Sequence, residues 1–200
     1  MARAQAAEYD ERKERIVAAA AALFAEDGFN GASVADIAAR AKITKSLVYH
    51  YYKSKDDILY DAMITHVRSL EAAARAAAAL PTPPEGRLLE LTHRFMALYV
   101  DAADRHKVLL NDLRRLPRER RREIVDVQRG LIDAVRKLLV EIEPALKGKP
   151  GPSVAAAMLF FGAINWTHTW FDPAGPFMPE ALALRVVEIM QRGVTPQVPA

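Results

Sequence analysis

The chain has 200 residues, 51% of them hydrophobic, and a formal net charge of +3. This length and composition suit one or two domains with a substantial buried core. Because the sequence contains no cysteine, disulfide frameworks, thiolate nucleophiles and zinc–thiolate sites are excluded. Residues 1–15 lack the apolar segment of a signal peptide, so we expect a cytoplasmic protein.

Hydrophobic residues recur with the helical period along the chain, and no segment shows the alternation of a strand. This pattern predicts an all-α fold of about nine helices. Two segments rich in proline and glycine, 81–86 and 147–152, are expected to interrupt them. The predicted helices are 16–28, 33–41, one from 44, one from 54 towards 80, one around 88–98, 108–116, 117–142, 153–171 and about 179–192.

The second, third and fourth predicted helices begin with clear capping signals. Ser33, with Asp36 three residues later, is typical of a capping box, and Thr44 is the next natural N-cap. Ser54 and Asp57 repeat the spacing at the fourth helix. Two short helices joined by a tight turn predict a helix-turn-helix, whose second helix enters the major groove of DNA.

The third predicted helix has a polar, basic face opposite an apolar one. Ile43, Leu47 and Val48 are expected to turn inward. Between Arg40 and Lys55 there are five basic residues and no acidic one, a local charge suited to phosphates. We expect Lys55 to contact a phosphate and the outward face of the helix to reach base edges. The predicted contacts to double-stranded DNA are Ser33, Thr44, Lys45, Ser46, Tyr49, His50 and Lys55.

The segment SVADIAARAKITKSLVYHYYKSKDDIL, with IVAAAAALFAEDG before it, strongly resembles the TetR/AcrR family of bacterial transcriptional repressors. Two positions differ from the family pattern, which usually has Gly where this chain has Lys42 and often Gly at Ser46. A left-handed turn residue costs Lys more than Gly. The resemblance implies a DNA-binding domain at 1–58, a helical ligand-binding and dimerisation domain at 59–200, and a homodimer that binds a palindromic operator.

The eighth predicted helix, AAAMLFFGAINWTHTWF, is apolar on nearly every side. It is too short and too polar near its end for a membrane span, so no membrane partner is expected. A helix of this kind suits burial between two subunits. Gly162 in its middle favours close helix approach. We therefore predict a homodimer through helices 8 and 9.

The stretches VLLNDLRRLPRERRREIVDVQRGLIDAV and FFGAINWTHTWFDPAGPFMPEALA resemble a branch of the family that acyl-CoA thioesters release from DNA. The chain differs from that branch at Thr169, where similar proteins carry a cation. This resemblance implies a small apolar or acyl-CoA ligand as partner. The predicted ligand-binding residues are His66, His93, Phe95, Asn111, Arg121, Arg122, Phe161, Asn165, Trp166, His168 and Trp170.

Each of these residues has a simpler alternative explanation. A single histidine beside an apolar stripe is most often a hydrogen-bonded core residue. Trp166 and Trp170 could be interface packing. The arginines of 114–122 could be a solvated helix start or could hold CoA phosphates. A repressor of an efflux or stress operon that responds to a hydrophobic compound without CoA is the alternative function.

Two other classes of protein compete with a repressor. An enzyme has little support, because the sequence has no Gly-rich phosphate loop, nucleophile elbow or HExxH pair. No cofactor and no metal site are expected. A helical adaptor that has lost DNA binding is the third class, and Lys42 and Ser46 are the residues that would indicate it.

Overall fold

The computed structural model describes residues 2–194, and within them it contains nine α-helices, three short 3-10 turns and no strand. The all-α fold predicted from the sequence is confirmed. The helices are α1 (Ala2–Gly31), α2 (Val34–Arg40), α3 (Lys45–Tyr51), α4 (Lys55–Ala78), α5 (Pro84–Asp101), α6 (Ala103–Asp112), α7 (Arg118–Ile142), α8 (Pro150–Asn165) and α9 (Pro179–Val194).

The first helix begins at Ala2, well before its predicted start at residue 16. Its predicted end at Gly28 is a sharp kink, where φ is 73° and ψ is 163°. Only glycine adopts this conformation without steric cost. After the kink the chain reaches Gly31 and then turns into α2.

The eighth helix ends earlier than predicted, at Asn165 instead of residue 171. Trp166–Thr169 form a 3-10 turn in which hydroxyl groups bond to carbonyls three residues earlier. Thr167 Oγ1 donates to the carbonyl of Ile164 at 2.6 Å, and Thr169 Oγ1 donates to that of Trp166 at 2.7 Å. Such local bonds compete with regular helix geometry and tighten the chain. The sixth helix is also displaced from its predicted range of 108–116. It spans Ala103–Asp112, and a 3-10 turn follows it.

The described chain divides into two compact units. The first contains residues 2–66 and Ala102–Ile124, and the second contains Val67–Asp101 and residues 125–194. Helices α4 and α7 each contribute residues to both units. The predicted domain boundary between residues 58 and 59 stays a prediction, because compactness does not define which segment functions alone.

Each unit has its own apolar core. Fully buried side chains of the first unit include Ile16, Phe24, Ile37, Val48 and Leu59. Those of the second unit include Leu88, Leu91, Phe95, Val135 and Phe160. Among residues 2–194 no helix is long and apolar enough to cross a membrane.

Candidate functional site

The predicted capping box at the start of α2 is present. Asp36 N–H donates to Ser33 Oγ at 3.2 Å, and Ser33 N–H donates to Asp36 Oδ2 at 2.9 Å. The hydrogen bonds from Ser33 lower the pKa of the Asp36 carboxyl below its usual range. Ile37 and Ala38 are buried on the opposite side. The cap therefore fixes the start of α2 on the core of the first unit.

The turn between α2 and α3 is a Schellman motif closed by Lys42. Lys42 has a φ of 56° and is the one non-glycine residue with positive φ among the described residues. Ile43 N–H donates to the carbonyl of Ala38 at 3.0 Å, and Lys42 N–H donates to that of Ala39 at 3.1 Å. These two bonds define the motif. The expectation that Lys42 occupies a left-handed position is confirmed.

Helix α3 presents the polar face that the sequence predicts. Thr44 is its N-cap, and Leu47 N–H donates to Thr44 Oγ1 at 3.3 Å. Val48 is fully buried and holds the helix on the core. The Lys45 ammonium lies 6.0 Å from the Tyr49 ring centroid. The predicted base-reading side chains are all exposed: Lys45, Ser46, Tyr49 and His50.

Lys55 has a structural role beside its predicted phosphate contact. Its ammonium donates to the carbonyls of Phe29 at 2.6 Å and Ala32 at 2.7 Å. It also lies 4.3 Å from the Phe29 ring centroid. Two of its three N–H donors are thus used within the protein. Lys55 ties the start of α4 to the end of α1, and its contact with DNA stays a prediction.

Other side chains that fix the helix-turn-helix are not evident from the sequence. Arg15 donates to the carbonyl of Ala41, the C-cap of α2, at 2.8 Å. Arg40 makes a fork of two hydrogen bonds to Glu26, at 2.8 and 2.7 Å. These contacts join residues 14 and 26 positions apart. Helical spacing carries no signal for pairs so distant, so sequence reasoning could not identify them.

Four predicted ligand-binding residues belong to the first unit: His66, Asn111, Arg121 and Arg122. His66 is only 2% exposed and shares a hydrogen bond of 3.2 Å with His106. Burial, with a smaller effect of Arg105, lowers the pKa of His66 to about 4. This geometry favours the core alternative for His66. Asn111 lines a cavity of about 320 Å³ between α1 and α6, together with Lys107 and Arg115.

The remaining predicted ligand residues belong to the second unit: His93, Phe95, Phe161, Asn165, Trp166, His168 and Trp170. Phe95 is buried, and its ring centroid lies 6.2 Å from that of Phe161. Asn165 Oδ1 accepts a hydrogen bond of 2.8 Å from Tyr99. The two tryptophans are exposed, Trp166 by 65% and Trp170 by 56%. No single unit therefore unites the predicted set, and its role in ligand binding stays a prediction.

An exposed apolar surface covers parts of α8 and α9. Leu159 is 69% exposed and Ile189 is 61% exposed, fractions that are high for large apolar side chains. A cavity of about 490 Å³ lies between them and is lined by apolar residues only. Gly162 is exposed on α8, and a Cβ atom there would meet no atom within 4 Å. None of the predicted ligand residues lines this cavity.

Comparison with known protein families identifies both parts of the chain. Residues 16–62 match the N-terminal domain described as bacterial regulatory proteins, tetR family. Residues 81–194, more than half of the chain, match the tetracyclin repressor-like C-terminal domain. The chain belongs to the TetR family. The members of the TetR family are DNA-binding transcriptional regulators, not enzymes.

Two characterised TetR-type relatives align over most of the chain. The transcriptional repressor KstR2 of Mycolicibacterium smegmatis is 26% identical, over 92% of this chain and 91% of its own. The fatty acid metabolism regulator protein of Bacillus subtilis is 27% identical, over 90% of this chain and 94% of its own.

Solved structures agree with the fold along nearly the whole chain. A regulator from Bordetella parapertussis is 37% identical with a TM-score of 0.85, over 89% of this chain and 93% of its own. AibR in complex with isovaleryl coenzyme A and operator DNA is 23% identical with a TM-score of 0.76, over 89% of this chain and 97% of AibR. The second likeness concerns the fold alone.

Proposed function

We propose that this chain is a ligand-responsive transcriptional repressor that binds a palindromic operator as a homodimer. The observation that carries the proposal is the exposed polar face of α3, set on an intact helix-turn-helix with Val48 buried behind it. Lys45, Tyr49 and His50 supply the donors and the extended side chains that read base edges in a major groove. The left-handed Lys42 keeps the turn closed without a glycine.

The exposed apolar surface of α8 and α9 supports assembly into a dimer. Large exposed side chains such as Leu159 and Ile189 would lose contact with water if a second copy covered them. A two-fold dimer also suits DNA, because two recognition helices then reach half-sites about 34–36 Å apart. The open space around Gly162 leaves room for close approach of a partner helix.

We infer that the ligand is an acyl-CoA thioester. The likeness of residues 108–135 and 160–183 to the acyl-CoA-responsive branch supports this class. The 27% identity with a fatty acid metabolism regulator over 90% of the chain also supports it. Arg121 and Arg122 are the predicted contacts of the phosphates.

A hydrophobic ligand without CoA is the second candidate. The cavity of about 490 Å³ in the second unit favours it, because leucine, isoleucine, methionine, proline and alanine line it without any charged residue. A cavity of this volume suits a small apolar molecule. Such a ligand would need no phosphate contacts, so the arginines of α7 would not matter for its binding.

The mechanism we propose is a shift between two arrangements of the dimer. Helix α4 begins four residues after α3 ends and contributes residues to both units. A dimer whose recognition helices have a different spacing would not fit the operator. A ligand that binds more tightly to this arrangement would increase its population and so release the DNA. As a DNA-binding repressor, the protein would act in the cytoplasm.

A titration of the protein–DNA complex tests the ligand class. An operator is first recovered from a random DNA library with the purified protein, labelled, and followed by fluorescence anisotropy. We expect a medium-chain or longer acyl-CoA to release the operator at far lower concentration than the free acid or free CoA. Equal release by the free acid would favour the hydrophobic ligand. No effect of any thioester would contradict the acyl-CoA proposal.

A further inference from the structure

The start of α7 is bonded to the start of α4 by four side chains, which we call the α4–α7 clasp: Asp57, Tyr60, Arg120 and Glu123. Arg120 donates a hydrogen bond to the Asp57 carboxylate. Its guanidinium also lies 5.1 Å from the Tyr60 ring centroid. Tyr60 in turn donates to the Glu123 carboxylate. All four residues belong to the first unit.

The ion pair in the clasp is partly shielded from solvent. The Arg120 side chain is 36% exposed and the Asp57 side chain is 22% exposed. Burial alone would raise the pKa of the Asp57 carboxyl, but hydrogen bonds from Arg120 and Ser54 outweigh it and lower the pKa below its usual range. Charge-assisted bonds in such surroundings are stronger than those between exposed ions.

The clasp acts on the segment that sets the position of α3. Ser54 Oγ donates to the second oxygen of the Asp57 carboxylate at 2.8 Å, and Asp57 N–H donates to Ser54 Oγ at 3.2 Å. One turn further along α4, Asp61 accepts a hydrogen bond of 2.5 Å from Tyr52, the C-cap of α3. The first two turns of α4 therefore hold the end of the recognition helix.

We propose that Arg120 is a positioning residue for operator binding, which holds the first turns of α4 and through them the orientation of α3. This inference rests on the proposed function, because it requires that α3 reads an operator. The clasp therefore links α7 to the recognition helix within the first unit.

Two substitutions that remove charges of opposite sign test the clasp. Arg120→Gln removes a positive charge, and Asp57→Asn removes a negative one while keeping a side-chain oxygen near Ser54. By charge alone, Asp57→Asn should strengthen binding to all DNA. If the clasp positions α3, both variants lose about tenfold or more in operator affinity, since a charge-assisted bond contributes about that factor. Affinity for random DNA should change much less.

The matched controls are Arg129→Gln and Asp126→Asn, which break an ion pair of 2.9 Å between two residues of α7. We expect them to leave operator affinity near that of the wild type. The double variant Arg120→Gln/Asp57→Asn should lose no more than a single variant, because both remove the same bond. Circular dichroism and urea unfolding check that each variant folds. If Arg120→Gln does not fold, Arg120→Lys replaces it and should show a smaller loss.

The outcomes separate this inference from the proposed function. If the wild type binds an operator and Asp57→Asn binds it equally well or better, the positioning role is wrong while the repressor remains. A loss shared equally by both controls would also overturn it, since the effect would then not depend on the bond between α4 and α7. If the wild type selects no DNA sequence, the proposed function fails and the inference fails with it.

Discussion

Lys42 occupies a backbone conformation that glycine would adopt at lower cost. Its φ of 56° lies in the left-handed region, and it closes the turn between α2 and α3. The free energy gained by relief of steric strain should exceed the free-energy cost of glycine's larger backbone entropy in the unfolded chain. We therefore expect Lys42→Gly to raise the free energy of unfolding by about 0.5–1 kcal/mol. Lys42→Ala, which removes the charge but keeps the strain, is the control. A glycine variant no more stable than the alanine variant in urea unfolding would contradict this account.

Lys45 is the residue at which specificity can be separated from general affinity for DNA. Its ammonium is exposed on the outer face of α3, near the Tyr49 ring. If it reads a base edge, Lys45→Ala should cost about 1–3 kcal/mol on the operator and clearly less on random DNA. Lys149→Ala, which removes an exposed lysine from the second unit, controls for net charge. Equal losses on both DNAs for Lys45→Ala would mean that Lys45 meets a phosphate instead.

We expect His66 to make the stability of the protein depend on pH. Because burial lowers its pKa from 6.5 to about 4, the unfolded chain takes up a proton between these values while the folded chain does not. Folding stability should therefore fall as the pH drops through 6.5 and stop falling near 4, a total of up to about 3 kcal/mol. His66→Gln should flatten the pH dependence of urea unfolding over this range. An unchanged slope would show that other groups cause it.

At the scale of helices, local signals predict the DNA-binding part of the molecule well. The caps at Ser33 and Thr44 act on backbone groups three residues away, so the sequence itself contains both partners. The end of α8 was predicted wrongly, because Thr167 and Thr169 favour a 3-10 turn in an otherwise apolar helix. The α4–α7 clasp joins residues 63 positions apart, and no local pattern predicts such a pair.

The ligand residues could be predicted less well than the DNA-binding residues, for a physical reason. A recognition helix is one short element whose inner and outer faces follow from helical spacing. A ligand site gathers single residues from several helices, and their grouping depends on how those helices pack. His66 illustrates the difference, since its partner His106 lies 40 positions further along the chain.

Helix α8 offers a test of the dimer that leaves the folded subunit intact. A side chain added at Gly162 would project into open space within one subunit. Gly162→Leu should therefore preserve helicity but prevent close approach of a second copy, so sedimentation should show a monomer. Gly130→Leu on α7, where a Cβ atom also meets nothing within 4 Å, should stay dimeric. A stable Gly162→Leu dimer would place the interface elsewhere.

For the whole molecule, binding of the proposed ligand requires both apolar surroundings for the acyl chain and positive charge for the phosphates. Burial of the acyl chain contributes about 0.8 kcal/mol per methylene, and the phosphates add bonds that salt weakens. We expect Arg121→Ala or Arg122→Ala to raise the acyl-CoA concentration that releases operator DNA, with a smaller effect in high salt. Release by a hydrophobic ligand without CoA should not change. Identical titrations for the wild type and both variants would remove these arginines from the ligand site.

The central claim is that two copies of this chain read one palindromic DNA site. Selection from a random double-stranded library, followed by sedimentation of the protein with the enriched DNA, tests it most directly. We predict an inverted repeat with half-site centres about one helical turn apart, bound by two chains, with affinity that falls steeply as salt rises. Recovery of no common sequence, or of a site bound by a single chain, would contradict the account.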